Sequence, residues 1–169
     1  MNIVVSNDRI NLVAIEDFSP EVLAELKHIY RSTRAHELVL TNWSEVEKQL
    51  FIDHQFSAQH AYYQKIYPQA YNFFVYFDGI IVGRLYINLF LNNNEVRIVD
   101  ISLKEAYRGQ LIGTTLLRSL QKMVSLQYES LSIHVEHFNP AMKLYERLGF
   151  KIVGHFNEVY KLMRWHPNQ

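Results

Sequence analysis

The stretch from Glu95 to Glu136 constrains the fold most. Glu95 to Leu103 reads as a strand, and Gly113 to Tyr128 has helical spacing, with Leu116, Leu117, Leu120, Met123 and Val124 on one stripe. Leu131, Ile133 and Val135 then alternate strictly with Ser130, Ser132, His134 and Glu136, the pattern of a half-buried strand. Strand, helix and strand in that order favour a parallel pair joined by a crossover helix. The remaining elements must be arranged around that unit.

Upstream, Phe73 to Phe77 and Ile80 to Leu91 flank the turn pair Asp78-Gly79, and Asn92-Asn93-Asn94 makes a second turn into Glu95. The middle of the chain is therefore expected to be an antiparallel meander. Ile10 to Ile15 reads as a first strand, and Ser19-Pro20 caps a helix running toward Arg31. Ser44 with Glu47 fits a capping box, opening a longer helix that carries Val46, Leu50, Ala58, Ala61 and Tyr62 before Pro68 stops it. Pro140 to Leu148 suits a short helix closed by Gly149, and Phe150 to His155 and Glu158 to Trp165 form a closing strand pair around Asn157. The sum is an α+β fold, a mixed and mainly antiparallel sheet of about six or seven strands flanked by helices. No repeat, low-complexity tract or Pro/Gly-rich linker interrupts it, so a single domain over residues 1–169 is expected.

The 17 Lys and Arg balance 17 Asp and Glu, so no net field draws the chain toward nucleic acid or an anionic membrane. Cysteine is absent, which removes disulfides, thiolate metal sites and a Cys nucleophile together. Met1 to Arg9 lacks the basic and apolar segments of a leader, and no stretch approaches the roughly 20 apolar residues of a spanning helix. A cytoplasmic location is the expectation.

The stretch with most chemistry is Arg108-Gly109-Gln110-Leu111-Ile112-Gly113-Thr114-Thr115, between a strand and a helix. Small residues at a helix start leave several backbone N–H groups aimed at one point, where the helix dipole favours negative charge. That suits a pyrophosphate, with Arg108 adding a charged contact and Gly109 and Gly113 letting the backbone approach. A plain turn would also use two glycines.

This segment resembles the acetyl-CoA loop of the GNAT superfamily of N-acetyltransferases, Arg/Gln-x-x-Gly-x-Gly/Ala after a strand. Arg108 and Gly113 match its ends, while Leu111 stands where the family has its middle glycine; if that position needs positive φ, the leucine costs about 1 kcal/mol or more. Downstream, Asn139-Pro140-Ala141-Met142-Lys143-Leu144-Tyr145-Glu146-Arg147-Leu148-Gly149-Phe150 is similar to the family's second signature, an Asn followed by a helix ending Leu-Tyr-Glu-x-Leu-Gly-Phe. The resemblance implies a GNAT-like sheet with a splayed parallel strand pair forming the CoA cleft. It further implies acetyl-CoA as cosubstrate, held by Ile101, Leu103, Arg108, Gly109, Gln110, Leu111, Ile112, Gly113, Thr114, Asn139 and Tyr145. In this reading the Leu103 amide polarises the acetyl carbonyl and Tyr145 protonates the leaving thiolate during direct transfer to an amine.

The acceptor is not named by the sequence; a small molecule or a peptide fits equally, and a homodimer is left open. The family resemblance puts the upstream helical region against the acceptor. There, Arg31, Arg34 and Glu37 recur at three-residue spacing near one helix face and could recognise a carboxylate or an amine, while the same spacing also suits ion pairs on a solvated face. On the splayed strands, Asp100, His134 and Glu136 are candidates to line the cleft. His134 has an ordinary pKa suited to taking the amine's proton, whereas Asp100 would need its pKa raised or would act through water. His134 and His137 do not make a metal site, since three-residue spacing on a strand sends them to opposite faces. The alternative function is a non-catalytic CoA-binding or regulatory module on the same fold.

Overall fold

The computed structural model describes residues 3–39, 41–155 and 157–167. Met1 and Asn2, at the head of the segment read for a leader, lie outside the described residues. Among the described residues seven strands form one sheet, in the order β1-β2-β3-β4-β5-β7-β6. These are β1 Ile10–Ala14, β2 Tyr71–Phe77, β3 Ile80–Phe90, β4 Glu95–Leu103, β5 Ser130–Glu136, β6 Lys151–His155 and β7 Tyr160–Trp165. All neighbours run antiparallel except β4 and β5. The helices are α1 Pro20–Arg34, α2 Glu45–Ile66, α3 Ile112–Gln127 and α4 Met142–Arg147.

Local signals set most boundaries. Ser19 Oγ accepts from the Val22 amide to start α1, and the Ser44–Glu47 box opens α2 with both reciprocal bonds made. Asp78 and Gly79 each adopt positive φ (50° and 79°), the backbone a two-residue hairpin needs. On one face of the sheet α3 buries Ile112, Leu116, Leu117, Leu120 and Val124 against Leu85, Ile87, Val96, Ile98 and Leu131, all in one core. Each such side chain contributes about 2 kcal/mol of hydrophobic stabilisation. The opposite face carries a smaller cluster, Leu26, Ile29, Phe56 and Phe74, where α1 and α2 meet the sheet.

Three local expectations change. Along α2 the buried residues are Ile52 and Phe56, an i, i+4 pair facing α1, while Val46 (67% exposed), Leu50 (64%) and Tyr62 (54%) lie outside. The apolar positions alone pick the wrong face because the residues that decide it, Leu26 and Ile29 of α1, lie more than 20 positions earlier in the chain than Ile52 and Phe56. Helix α4 starts at Met142 rather than Pro140, because Asn139 Oδ1 takes the Ala141 amide at 2.9 Å and holds the preceding residues in a turn. Finally, β5 is not half-exposed at its start. Ser130 and Ser132 are buried, and Ser132 Oγ donates to Glu95 and accepts from Arg97, both at 2.6 Å. Glu95 is in turn shared between Arg97 (2.7 Å) and Arg164 (2.9 Å), an ion network that roofs the strand's polar face.

The feature that positions the site is a break in the central pairing. Between Tyr86↔Asp100 and Ile87↔Ile98 the β3–β4 register slips by one residue, leaving Val99 as a bulge. The parallel β4–β5 ladder ends at the same level, with Ile98↔Ile133 as its last pair. Beyond it the two strands part.

Candidate active site

Two clefts open at this splay, one on each side of β4. The first, of about 530 Å³, is walled by Ile101 and Leu103 of β4, Tyr107 to Gly109 of the loop, Leu111 to Thr114 at the start of α3, and Pro140, Ala141, Leu144, Tyr145 and Arg147 around α4. Leu111 occupies the N-cap of α3 with no side-chain hydrogen bond, so the amides of the first turn carry no side-chain cap. Their dipole end faces a cleft edged by Arg108 and Arg147.

A Cβ built on Gly113 would meet nothing closer than Leu103 Cδ1 at 3.8 Å. The fold therefore has no steric need for glycine there, and the missing side chain leaves room for a ligand to approach the amides. Gly83 differs: a Cβ there would fall 2.2 Å from the Ser102 carbonyl, so glycine is what lets β3 cross close behind Leu103. The Arg108 guanidinium donates to the carbonyls of Leu103 (3.0 Å) and Ser32 (3.1 Å), tying the loop to β4 and α1. Gln110 is exposed and caps the Ala106 carbonyl. Neither Gln110 nor Asn139, which is engaged in its turn, is among the residues walling the cleft.

Leu111 has φ 62° and ψ 3°, the left-handed region, so the position does require positive φ, and its side chain is 71% exposed. A leucine held there costs roughly 1–2 kcal/mol with little packing in return. Leu111→Gly is therefore expected to raise the melting temperature by about 2–4 °C, corresponding to about 1 kcal/mol. A lower melting temperature in calorimetry would show that the exposed leucine is stabilising after all.

The second cleft, about 630 Å³, lies between α2 and the sheet and is lined by Tyr30, Arg34, Gln55, Gln59, Tyr62, Tyr63, Tyr67, Arg97, His134 and Tyr160, among others. Gln55, Gln59, Tyr62, Tyr63 and Ile66 fall at i, i+4, i+7, i+8 and i+11, a helical stripe of polar and aromatic residues ending on an isoleucine that could have been read from the sequence. Arg34 bridges Glu37 (2.6 Å) and Glu136 (3.5 Å) at the rim, and Glu136 also accepts from Tyr160 Oη at 3.2 Å. Arg31 is turned elsewhere, bonded to Asp53 of α2 at 2.7 Å.

The Asp100 charge is felt by Tyr145, which lines the first cleft. Burial, and then the Asp100 charge, hold the Tyr145 phenol above its ordinary range, so it stays protonated at any physiological pH. Burial likewise raises Asp100 above the usual carboxylate range, only partly offset by Arg84, the Ser102 hydroxyl and Arg34. His134 is pushed the other way by burial and by Arg97, and Glu95 opposes this only in part. Its Nδ1 lies 3.3 Å from Arg97 Nη1. Arginine can only donate, so Nδ1 accepts and the ring proton of neutral His134 sits on Nε2.

A model of the acetyltransferase (GNAT) family matches residues 27–150. A Bacillus subtilis (strain 168) protein described as a putative ribosomal-protein-bS18-alanine N-acetyltransferase is 32% identical over 90 residues, which are 52% of this chain and 58% of that protein. The chain thus spans little more than half the length of that relative. Among solved structures, the PaiA N-acetyltransferase of Thermoplasma acidophilum in complex with coenzyme A superposes with a TM-score of 0.65 at 18% identity, covering 93% of this chain and 98% of that one. The ribosomal-protein-S18-alanine N-acetyltransferase of Escherichia coli gives 0.60 at 17% identity, with 95% of each chain covered. At such identities the likeness is one of fold.

Proposed function

Because the chain belongs to the acetyltransferase (GNAT) family, we propose that it is an N-acetyltransferase that moves an acetyl group from acetyl-CoA to a primary amine by direct attack. The observation that carries this is the splay beyond Ile98 and Ile133, which sets an uncapped helix start and a buried, protonated tyrosine in one cleft. Acetyl-CoA would supply the acetyl group already activated as a thioester. The amides at Ile112 to Thr114 are suited to its pyrophosphate, with Arg147 at the edge, and the walls at Ile101, Leu103 and Leu144 to the apolar parts of its arm.

The remaining chemistry falls to two side chains. Tyr145 Oη holds the proton that a departing thiolate needs. Asp100 is the acceptor for the proton of the incoming ammonium: its raised pKa makes it a stronger base than an ordinary carboxylate, and His134 Nε2 already carries a proton. Asp100 lines a small recess that shares Tyr30, Arg34 and Gln59 with the second cleft, and that cleft then receives the acceptor.

Thiol release from acetyl-CoA across a panel of amines and peptide N-termini tests the proposal. Amine-dependent release supports it; stabilisation by CoA with no release on any amine would favour a binding module. Gly113→Glu probes the cofactor site itself. A carboxylate near the start of α3 suits the helix dipole, so the variant should fold and melt no lower than wild type, yet lose CoA affinity at least about tenfold through blockage and like-charge repulsion. Unchanged affinity by calorimetry would remove this loop from the site.

A further inference from the structure

Beneath Asp100 the acceptor cleft has a recess that acetyl transfer to a simple amine does not use. It measures about 60 Å³ and is lined by Leu26, Ile29, Thr33, Arg84, Asp100 and Ser102, sharing Tyr30, Arg34 and Gln59 with the larger cleft. That is room for a carboxylate or a few waters.

Arg84 dominates its chemistry. The side chain projects from the middle of β3 and is only 3% exposed. Its Nε donates to Asn72 Oδ1 at 3.0 Å, its Nη1 stands 3.7 Å from Asp100 Oδ2, and its guanidinium lies over the Tyr86 ring at 4.6 Å. Among the described residues the buried Nη2 has no hydrogen-bond partner. A buried guanidinium with an unmade bond is costly, and a bound group that completes the bond is one way that cost is met. The other cation in the recess, Arg34, is already shared by Glu37 and Glu136, so Arg84 is the one with capacity left. The donors point to an acceptor oxygen or an anion, and Asp100 alongside points to a cation.

We propose that this recess is a carboxylate subsite and that the acceptor is an α-amino acid or a close analogue, an amine carrying a carboxylate one carbon away. Arg84 Nη2 takes the carboxylate, Asp100 receives the ammonium, and the side chain extends between the tyrosines of the larger cleft. The charges of a zwitterion are matched pairwise at a spacing that a peptide N-terminus, whose carboxylate is remote, does not offer.

The inference rests on the acetyl-transfer reading, and paired acceptors separate the two. L-Phenylalanine and phenethylamine differ only in the carboxylate. Wild-type protein should acetylate the amino acid with a kcat/KM at least about 100-fold higher, since a site built around a buried donor rejects the analogue that leaves it unpaired. Arg84→Met should lower the amino-acid rate to that of phenethylamine, and Arg84→Lys should restore part of the difference. 3-Phenylpropanoate, which has the carboxylate and no amine, should compete with phenylalanine in wild type, a readout that does not depend on the Arg84→Met variant folding. Equal rates on the two amines, or no competition by 3-phenylpropanoate, would overturn the subsite while leaving acetyl transfer intact. No turnover on any amine or peptide would overturn both.

Discussion

Tyr145→Phe is expected to lower turnover by about 100-fold or more while leaving the fold and the affinity for CoA near those of wild type. The ring is 5% exposed, packs edge-on against Phe150 with centroids 5.8 Å apart, and belongs to the main core, all of which phenylalanine preserves. Among the described residues the phenol oxygen makes no hydrogen bond within the protein, so its removal leaves no partner stranded. A tyrosine kept only for packing would thus lose very little in either stability or rate. What the variant does lose is a buried O–H held protonated beside the cleft by burial and by Asp100. The measurement is thiol release with a verified acceptor, paired with a CoA titration. Full turnover would assign the leaving-group proton to solvent.

The parts of the fold legible in the sequence are those fixed by neighbours within a few residues. The Ser44–Glu47 box, the Asp78-Gly79 turn and the bounds of β4 are local chemistry, and the structure has each of them as the pattern predicts. The α3 stripe is a single-helix periodicity and is equally plain. The face of α2 was not legible, because its burial is decided by Leu26 and Ile29 of α1 and by Phe74 of β2. The same holds for Ser132, whose burial comes from Glu95 and Arg97 on the neighbouring strand.

Of the residues that wall the first cleft, Arg108, Gly109, Leu111 to Thr114 and Tyr145 could be picked out because glycines and a signature helix mark them. Arg147, Tyr107 and Leu144 could not, since only the path of the chain brings them to the same cleft. Arg84 was the least visible. In a hairpin strand an arginine ordinarily faces solvent, and nothing in the sequence around Ile80 to Phe90 shows that α1 covers this one. The α2 stripe from Gln55 to Ile66 was present in the sequence, but apolar periodicity registers Tyr62 and gives no weight to Gln55 and Gln59, so the stripe does not stand out.

Asp100→Asn should produce a protein that is more stable and far less active. Burial raises the Asp100 carboxyl above its unfolded value, so the folded state binds its proton more tightly than the unfolded chain does. That contribution to stability is complete below the unfolded pKa and is lost as pH rises through the folded one. At neutral pH the wild type therefore carries a charged, partly desolvated carboxylate at a net cost, which asparagine avoids while keeping a polar group near Ser102 and Arg84. The melting temperature of the variant should exceed that of wild type near pH 8, and the gap should shrink as pH falls below the ordinary carboxylate range. Activity should move oppositely. Wild-type kcat/KM should climb with pH as Asp100 loses its proton, and the variant should lose about 100-fold or more together with that limb of the profile. A variant that keeps the rising limb would transfer the base role to another group, and one that melts below wild type at pH 8 would show the Arg84–Asp100 pair to be a net structural contact.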